Sequence, residues 1–505
     1  MQNLTEAQGA MMPRTSADWP DLVFATGRRY ATVTAAVKAG RLRRLARGIY
    51  TPSGEPAAAV IRRHWREVLA WRLPGAVIVD ASARTGLPDD RGYLYVDHRR
   101  QRPFELPGLV ILPRQGPGPM SGDIALPDGT WQSSTERALL DNLARRDGRR
   151  LTASEVQDWV IDILAHHGEA RLNELRDRAC RLAMPMGREP SFDRLTAIIS
   201  AALSTGPAAG DMTAALQASA AGMPYERERL ARFESCAESL AARAPASFPD
   251  LPELAARRRF LPIFEAYFSN YIEGTEFLVD EAIDIILKGA ETDRPLDAHD
   301  VRGTYGIVGD PVEMARTPAS ADEFIELLRE RHRVLMSARP EMSPGEFKTS
   351  PNRAGQTVFA TPALTKGTLR AGFEAGQVLA DPFARAVFMM FLVAEVHPFT
   401  DGNGRTARMM MNAELVVAGQ VRIVIPTAYR GEYLSALKGA THSNAFPTLA
   451  SVLAFAQRYT AQIDFSSLEA AKADLERTNA FIDPADGDKD HLRLRLPAQI
   501  DRNGH

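Results

Sequence analysis

An apolar run from Ala386 to Ala394, stopped at His397-Pro398 and followed at once by Gly402-Asn403-Gly404, constrains the fold of this chain more than any other stretch. Asp381 before Pro382 reads as an N-cap with proline at the first helical position, so the run predicts a buried helix that opens there. The residue before a proline is pushed out of the α region, which puts the helix end near Val396 and His397 in a loop. Gly402-Asn403-Gly404 predicts a tight turn on which a second helix starts, running to Gly419. A glycine-rich turn feeding a helix N-terminus leaves backbone N–H groups aimed at one spot, which makes an anion pocket.

Four side chains narrow the anion to a nucleotide. Arg405 and Arg408 are three apart on the second helix, so both are expected on one face near its positive end, gripping phosphate oxygens. Asp401 sits at the lip, where a carboxylate suits Mg²⁺ shared with phosphate. His397 is the side chain of the loop that takes a proton near neutral pH. The set fits in-line attack of a hydroxyl on a phosphate, with charge stabilised by amides, arginines and metal.

The string from His397 to Arg408 resembles the signature of the Fic family, HPFx(D/E)GNGRxxR, at every fixed position. The resemblance implies transfer of AMP from ATP to a Ser, Thr or Tyr hydroxyl of a target protein. It implies His397 as general base, Asp401 as the Mg²⁺ ligand, Gly402, Asn403 and Gly404 as the phosphate cradle, and Arg405 and Arg408 on the outer phosphates. Kinase-like relatives carry Ala and Lys where this chain has Gly402 and Gly404, so the turn points to nucleotidyl transfer. Leu261 to Ile272 is apolar and aromatic, and Ser269, Glu273 and Gly274 at its end resemble the inhibitory motif (S/T)xxxE(G/N) of self-restrained Fic proteins. That resemblance implies a Glu273–Arg408 pair that keeps the γ-phosphate from seating. Pro344 to Lys348 and Asn352 to Pro362 are similar to the family's target-docking flap, with Gln356, Thr357, Val358 and Phe359 strand-like; family members commonly carry arginine where Lys348 stands. Tyr429 to Thr441 resembles the segment that supplies the adenine pocket, with Tyr433 as a lining residue.

A length of 505 residues with 45% hydrophobic and 25% charged content exceeds one core and predicts two or three domains of an ordinary soluble protein. Net charge of −2 singles out no partner class. Cys180 and Cys236 offer neither a disulfide framework nor a zinc site, which implies a reducing interior. The N-terminus lacks a basic segment followed by an apolar one, and no apolar run approaches the ~18 residues of a membrane helix. A cytoplasmic protein without a membrane partner is expected.

Near the N-terminus, Arg28, Arg29, Lys38, Arg41, Arg43, Arg44 and Arg47 crowd a stretch with no acid between Asp21 and Glu55. Thr32 to Ala39 reads as a short helix stopped by Gly40, and Arg41 to Tyr50 as a basic hairpin, together a winged helix able to lay its cations along DNA phosphates. Lys38 to Leu42, Arg47 to Tyr50 and Ser134 to Asp141 resemble AbiEi-type antitoxins and regulators over residues 15 to 180. Tyr93 to Val96 and Leu109 to Leu112 read as short strands of a small α+β module.

The expected architecture is mainly α: an all-helical Fic domain with a small β-hairpin flap, preceded by an α+β winged-helix module. The expected divisions are a winged helix at 1–60, an α+β and helical region at 61–203, a linker at 204–222, a Fic domain at 223–465 with its inhibitory helix near 261–274, and a charged, partly mobile tail at 466–505. The expected protein is an autoinhibited adenylyltransferase that uses ATP and Mg²⁺, with a target protein and DNA as partners and a second copy of the chain as a further candidate. The alternatives are a DNA-binding regulator or toxin–antitoxin-like protein whose Fic domain senses nucleotide, and an enzyme of this fold that uses another donor or removes AMP. Intact His397 counts against a pure sensor, which has no need of a base.

Overall fold

The computed structural model describes residues 19–27, 29–145, 147–206, 211–243, 247–483 and 492–500, and the chain divides into two units at 220/221. The first unit opens with β1 (Val23–Phe24), α1 (Arg29–Lys38), β2 (Arg43–Ala46) and β3 (Ile49–Thr51). The chain turns at Gly40, where φ of +69° suits a residue without Cβ. The three strands pair antiparallel in the order β1-β3-β2, and Val33, Ala36 and Leu42 pack beside Val23 under them.

After α2 (Ala57–Arg63) and α3 (Trp65–Arg72) come β4 (Val77–Ile78), β5 (Tyr93–Asp97), β6 (Phe104–Leu106), β7 (Leu109–Arg114), β8 (Ile124–Ala125) and β9 (Trp131–Gln132). They form one mixed sheet in the order β6-β7-β5-β4-β9-β8, with the two strands expected near Tyr93 and Leu109 running parallel as neighbours. The unit closes with α4 (Thr135–Asn142), α5 (Ala153–Met186, interrupted at Gly168), α6 (Glu189–Ala202) and α7 (Ala214–Ala220). Ser134 caps α4 by accepting a hydrogen bond from the Arg137 N–H. The stretch read as a linker departs from that expectation: α7 lies within it and buries Ala215 and Leu216.

The second unit is helical: α8 (Arg227–Ala241), α9 (Leu261–Ile272), α10 (Val279–Lys288), α11 (Pro295–Val308), α12 (Pro311–Met314) and α13 (Ala321–Leu335) precede a hairpin of β10 (Arg353–Ala354) and β11 (Thr357–Val358). Then follow α14 (Pro362–Gly376), α15 (Pro382–Val396), α16 (Asn403–Val417), α17 (Arg430–Ser443), α18 (Phe446–Gln462) and α19 (Leu468–Arg477). The architecture is mainly α. Helix α15 is its axis, buried from Phe383 to Val396 on nearly every face. The Asp381 carboxylate accepts from the Ala384 N–H at 2.8 Å, so the helix starts where the N-cap and proline place it. Gly372 and Gly376 on α14 let the helices meet, since a Cβ at either would collide with Leu392 or Phe388. The chain beyond Ser466 also departs from expectation: Ala471, Leu475, Ala480 and Leu496 are buried with Phe264, Tyr267 and Phe268 in a second core. Among the described residues no helix is long and apolar enough to cross a membrane.

Candidate active site

His397 follows the last residue of α15 in the left-handed region, at φ of +52°. Its Nδ1 lies 3.3 Å from the Ala394 carbonyl, and its ring stacks on Phe359 with centroids 3.8 Å apart. Burial pulls the imidazole down to about 4, so it is neutral at physiological pH. With Nδ1 donating to the carbonyl, Nε2 keeps a lone pair for an incoming proton.

The turn that follows is braced from outside. Gly402 takes φ of +74° as the N-cap of α16, leaving the N–H groups of Asn403, Gly404 and Arg405 at the helix's open end. The Asn403 side chain is turned away from any anion: its Oδ1 accepts from the Phe399 N–H at 2.8 Å and its Nδ2 donates to the Phe399 carbonyl at 2.9 Å. Asn403 therefore offers a phosphate its backbone only. His332 on α13 supports the same turn. It accepts from Gly345 N–H through Nδ1 at 2.9 Å, donates from Nε2 to the Asp401 carbonyl at 3.0 Å, and stacks on Phe399 at 3.6 Å.

The two arginines do not share a free face. Arg405 is buried, with Nη1 2.8 Å from Asp300 Oδ2 on α11 and 3.2 Å from Asn270 Oδ1 on α9. Expected on the outer phosphates, Arg405 is here paired with Asp300. Arg408 donates from Nε to Ser269 Oγ at 3.0 Å and from Nη2 to the Ser269 carbonyl at 2.8 Å and Glu273 Oε1 at 2.7 Å. Gly274 takes φ of +92°, which lets the chain turn out of α9 directly after Glu273.

One cavity of about 210 Å³ joins these groups, lined among others by Glu273, Phe359, His397, Gly404, Arg408 and Tyr433. Tyr433 is buried in its wall beside Arg408. A Cβ at Gly404 would run into Glu273 Oε1, so the carboxylate rests against the first turn of α16.

Residues 323–415 match the model of the Fic/DOC family. The matched segment contains His332, Lys348, the hairpin and the loop from His397, whereas Glu273 and the first unit lie outside it. Protein adenylyltransferase fic-1 of Caenorhabditis elegans is 30% identical over 156 residues, 29% of this chain and 30% of that protein. Protein adenylyltransferase Fic of Drosophila erecta is 28% identical over 196 residues, 36% of this chain and 39% of that protein. The chain thus spans well under half the length of these curated relatives. A Fic domain containing signaling protein from Bacteroides thetaiotaomicron aligns with a TM-score of 0.37 at 21% identity, over 48% of this chain and 98% of that one.

Within the matched segment a hairpin forms where the flap was expected. Val358 is 64% exposed, Thr357 Oγ1 lies 2.8 Å from His442 Nε2, and Gln356 sits at the turn beside Gly355. Phe359 departs from the exposed flap, being buried against the His397 ring. The Asp401 carboxylate is about half exposed, 3.4 Å from Arg405. Among the described residues there is no cluster of three or more metal-ligating side chains, and a lone carboxylate is what Mg²⁺ uses when phosphates complete its shell.

In the first unit, Arg29, Lys38, Arg44 and Arg47 are exposed and Arg41 half-buried, while Arg28 lies outside the described residues. Arg43 departs from the expected row of free cations: it donates to the backbone carbonyls of Ser53, at 2.6 Å, and Glu55. Sequence reasoning missed Asn270, Asp300, His332 and Asn352, which come from separate elements and carry no local spacing signal.

Proposed function

We propose that the second unit is a Mg²⁺-dependent protein adenylyltransferase held in check by Glu273, and that the first unit binds DNA. The observation that carries the enzymatic reading is one cavity lined by His397, Gly404 at the open end of α16, and an Arg408 already occupied by Glu273. The names of the curated relatives support transfer of AMP.

In this reading the acceptor hydroxyl oxygen attacks the α-phosphorus of ATP, the bond to the β-phosphate oxygen breaks, and pyrophosphate leaves. The hydroxyl proton passes to His397 Nε2, the nitrogen left free by the contact between Nδ1 and the Ala394 carbonyl. A base of about 4 is weak alone, and nearby phosphate charge raises it toward the working range. The α16 amides face the charge that develops on the phosphate. Asp401 would hold Mg²⁺, which neutralises charge between the phosphates. Glu273 fills the space beside Gly404 and pairs with Arg408, so an incoming γ-phosphate must displace it or settle in a pose out of line with the hydroxyl.

The DNA reading rests on exposed Arg29, Lys38, Arg44 and Arg47 around a helix and hairpin. For the enzyme, the test is the Glu273→Gly chain with ATP labelled on the α- or the γ-phosphate, followed by mass spectrometry of the acceptor. Adenylyl transfer deposits the α label and the mass of AMP; γ label on protein makes the enzyme a kinase and refutes the reading.

A further inference from the structure

We propose that Lys348, acting with Asn352, is a positioning residue that holds the His397 peptide in the left-handed conformation turning the imidazole into the cavity. The proposal rests on the adenylyl-transfer reading for its rate effects. A left-handed residue other than glycine is strained and persists only where its surroundings enforce it. His397 is such a residue, at the end of a helix whose last carbonyls lack intrahelical partners.

Lys348 and Asn352 supply those partners. Lys348 Nζ donates to the His397 carbonyl at 2.8 Å, the Val396 carbonyl at 3.3 Å and Asn352 Oδ1 at 2.6 Å, while its own N–H donates to the Pro398 carbonyl at 2.9 Å. Asn352 Nδ2 adds bonds to the His397 carbonyl at 3.3 Å and the Phe399 carbonyl at 3.0 Å. Four successive carbonyls, from Val396 to Phe399, are thus tied by a neighbouring segment, three by the Lys348 and Asn352 side chains and that of Pro398 by the Lys348 main chain. Lys348 touches neither substrate space nor the reacting atoms: it is absent from the cavity lining and 4% exposed.

The bonded acceptors are all neutral oxygens. Arg229 and Glu226, at the start of α8, act on the ammonium, with Arg229 bound to Glu226 and Glu395, and His397 is the further titratable group beside it. Burial and the Arg229 charge bring Lys348 down to about 7. The amine left after deprotonation has two N–H donors for three acceptors, so the clamp loosens as pH rises through neutrality. His397, at about 4, does not titrate in that range.

The test compares Lys348→Met and Lys348→Arg in the Glu273→Gly chain, with kcat and KM for ATP measured from pH 6 to 9 and folding checked by thermal melts. Lys348→Met should lower kcat about tenfold or more with KM for ATP nearly unchanged, the size of a small misplacement of a catalytic group. Lys348→Arg carries a cation that does not titrate, and should restore kcat and remove the loss of rate above pH 7. Parental kcat in Lys348→Met, or a parental pH profile in Lys348→Arg, overturns the proposal. A readout free of transfer comes from the His397 imidazole signals, followed by NMR in the nucleotide-free chain. Lys348→Arg keeps their position and Lys348→Met moves them; signals that coincide in all three chains refute the clamp, whereas moved signals without AMP transfer by the Glu273→Gly chain refute only the enzymatic reading. Should Lys348→Met fail to fold, Asn352→Ala, which removes three of the bonds, takes its place with the same expectations for kcat, KM and the His397 signals.

Discussion

At Gly404 the Glu273 carboxylate lies against the open end of α16. The neighbours of Gly404 are Glu273 Oε1 and Arg408 Nη1, so a methyl group there must displace the carboxylate and then fill the same space. Gly404→Ala should therefore weaken ATP binding on the order of tenfold in both the wild-type and Glu273→Gly chains, as read by calorimetry. Equal affinity in Gly404→Ala would mean that the phosphates do not approach this turn. His397, Gly404 and Arg408 stand in one string of the sequence, and all three line the cavity. Asn403 and Arg405 stood in the same string, yet their side chains are taken by Phe399, Asp300 and Asn270, contacts that fold topology creates and spacing does not carry.

Helix α13 brings His332 under the turn, and a pH effect on stability belongs to this element. His332 is fully buried and held at about 4, below its ordinary 6.5, by desolvation. Between about pH 6.5 and 4 the unfolded chain binds a proton that the folded chain refuses, so stability falls as pH drops through that window, by up to about 3 kcal/mol, and this contribution levels off below it. Urea unfolding at pH 7 and pH 4.5 should show a smaller loss in His332→Gln than in the wild type; equal losses would contradict the assignment. The helices that frame the site were legible from their ends, since Asp381-Pro382 and His397-Pro398 mark both limits of α15. Helix α7 was not, because a short alanine-rich turn buries few large side chains and leaves little periodic signal. The burial of Phe359 was likewise hidden, since a strand-like run does not say which residue folds back on the loop.

The whole molecule joins a unit with its own core around Ile49, Leu69 and Ile111 to a second built around α15. The division at 220/221 falls inside the stretch whose composition suggested a linker, although part of that stretch is helix. If the first unit binds DNA, replacing Arg44 and Arg47 by Ala should weaken binding and reduce the salt slope by about one for each lost phosphate contact. Arg43→Ala should instead destabilise the hairpin, because its guanidinium holds the Ser53 and Glu55 carbonyls. A salt slope unchanged in the Arg44, Arg47 double variant would remove this hairpin from the DNA-binding surface.

In the proposed enzyme Glu273 restrains AMP transfer by occupying Arg408. The most direct measurement is the rate of α-label incorporation by the Glu273→Gly chain against wild type, at equal protein concentration and across ATP concentrations. The expected result is a rate at least tenfold higher at saturating ATP, a smaller change in ATP affinity, and a fall of ~10² or more when His397→Ala is added. Equal rates for Glu273→Gly and wild type at every ATP concentration would contradict it.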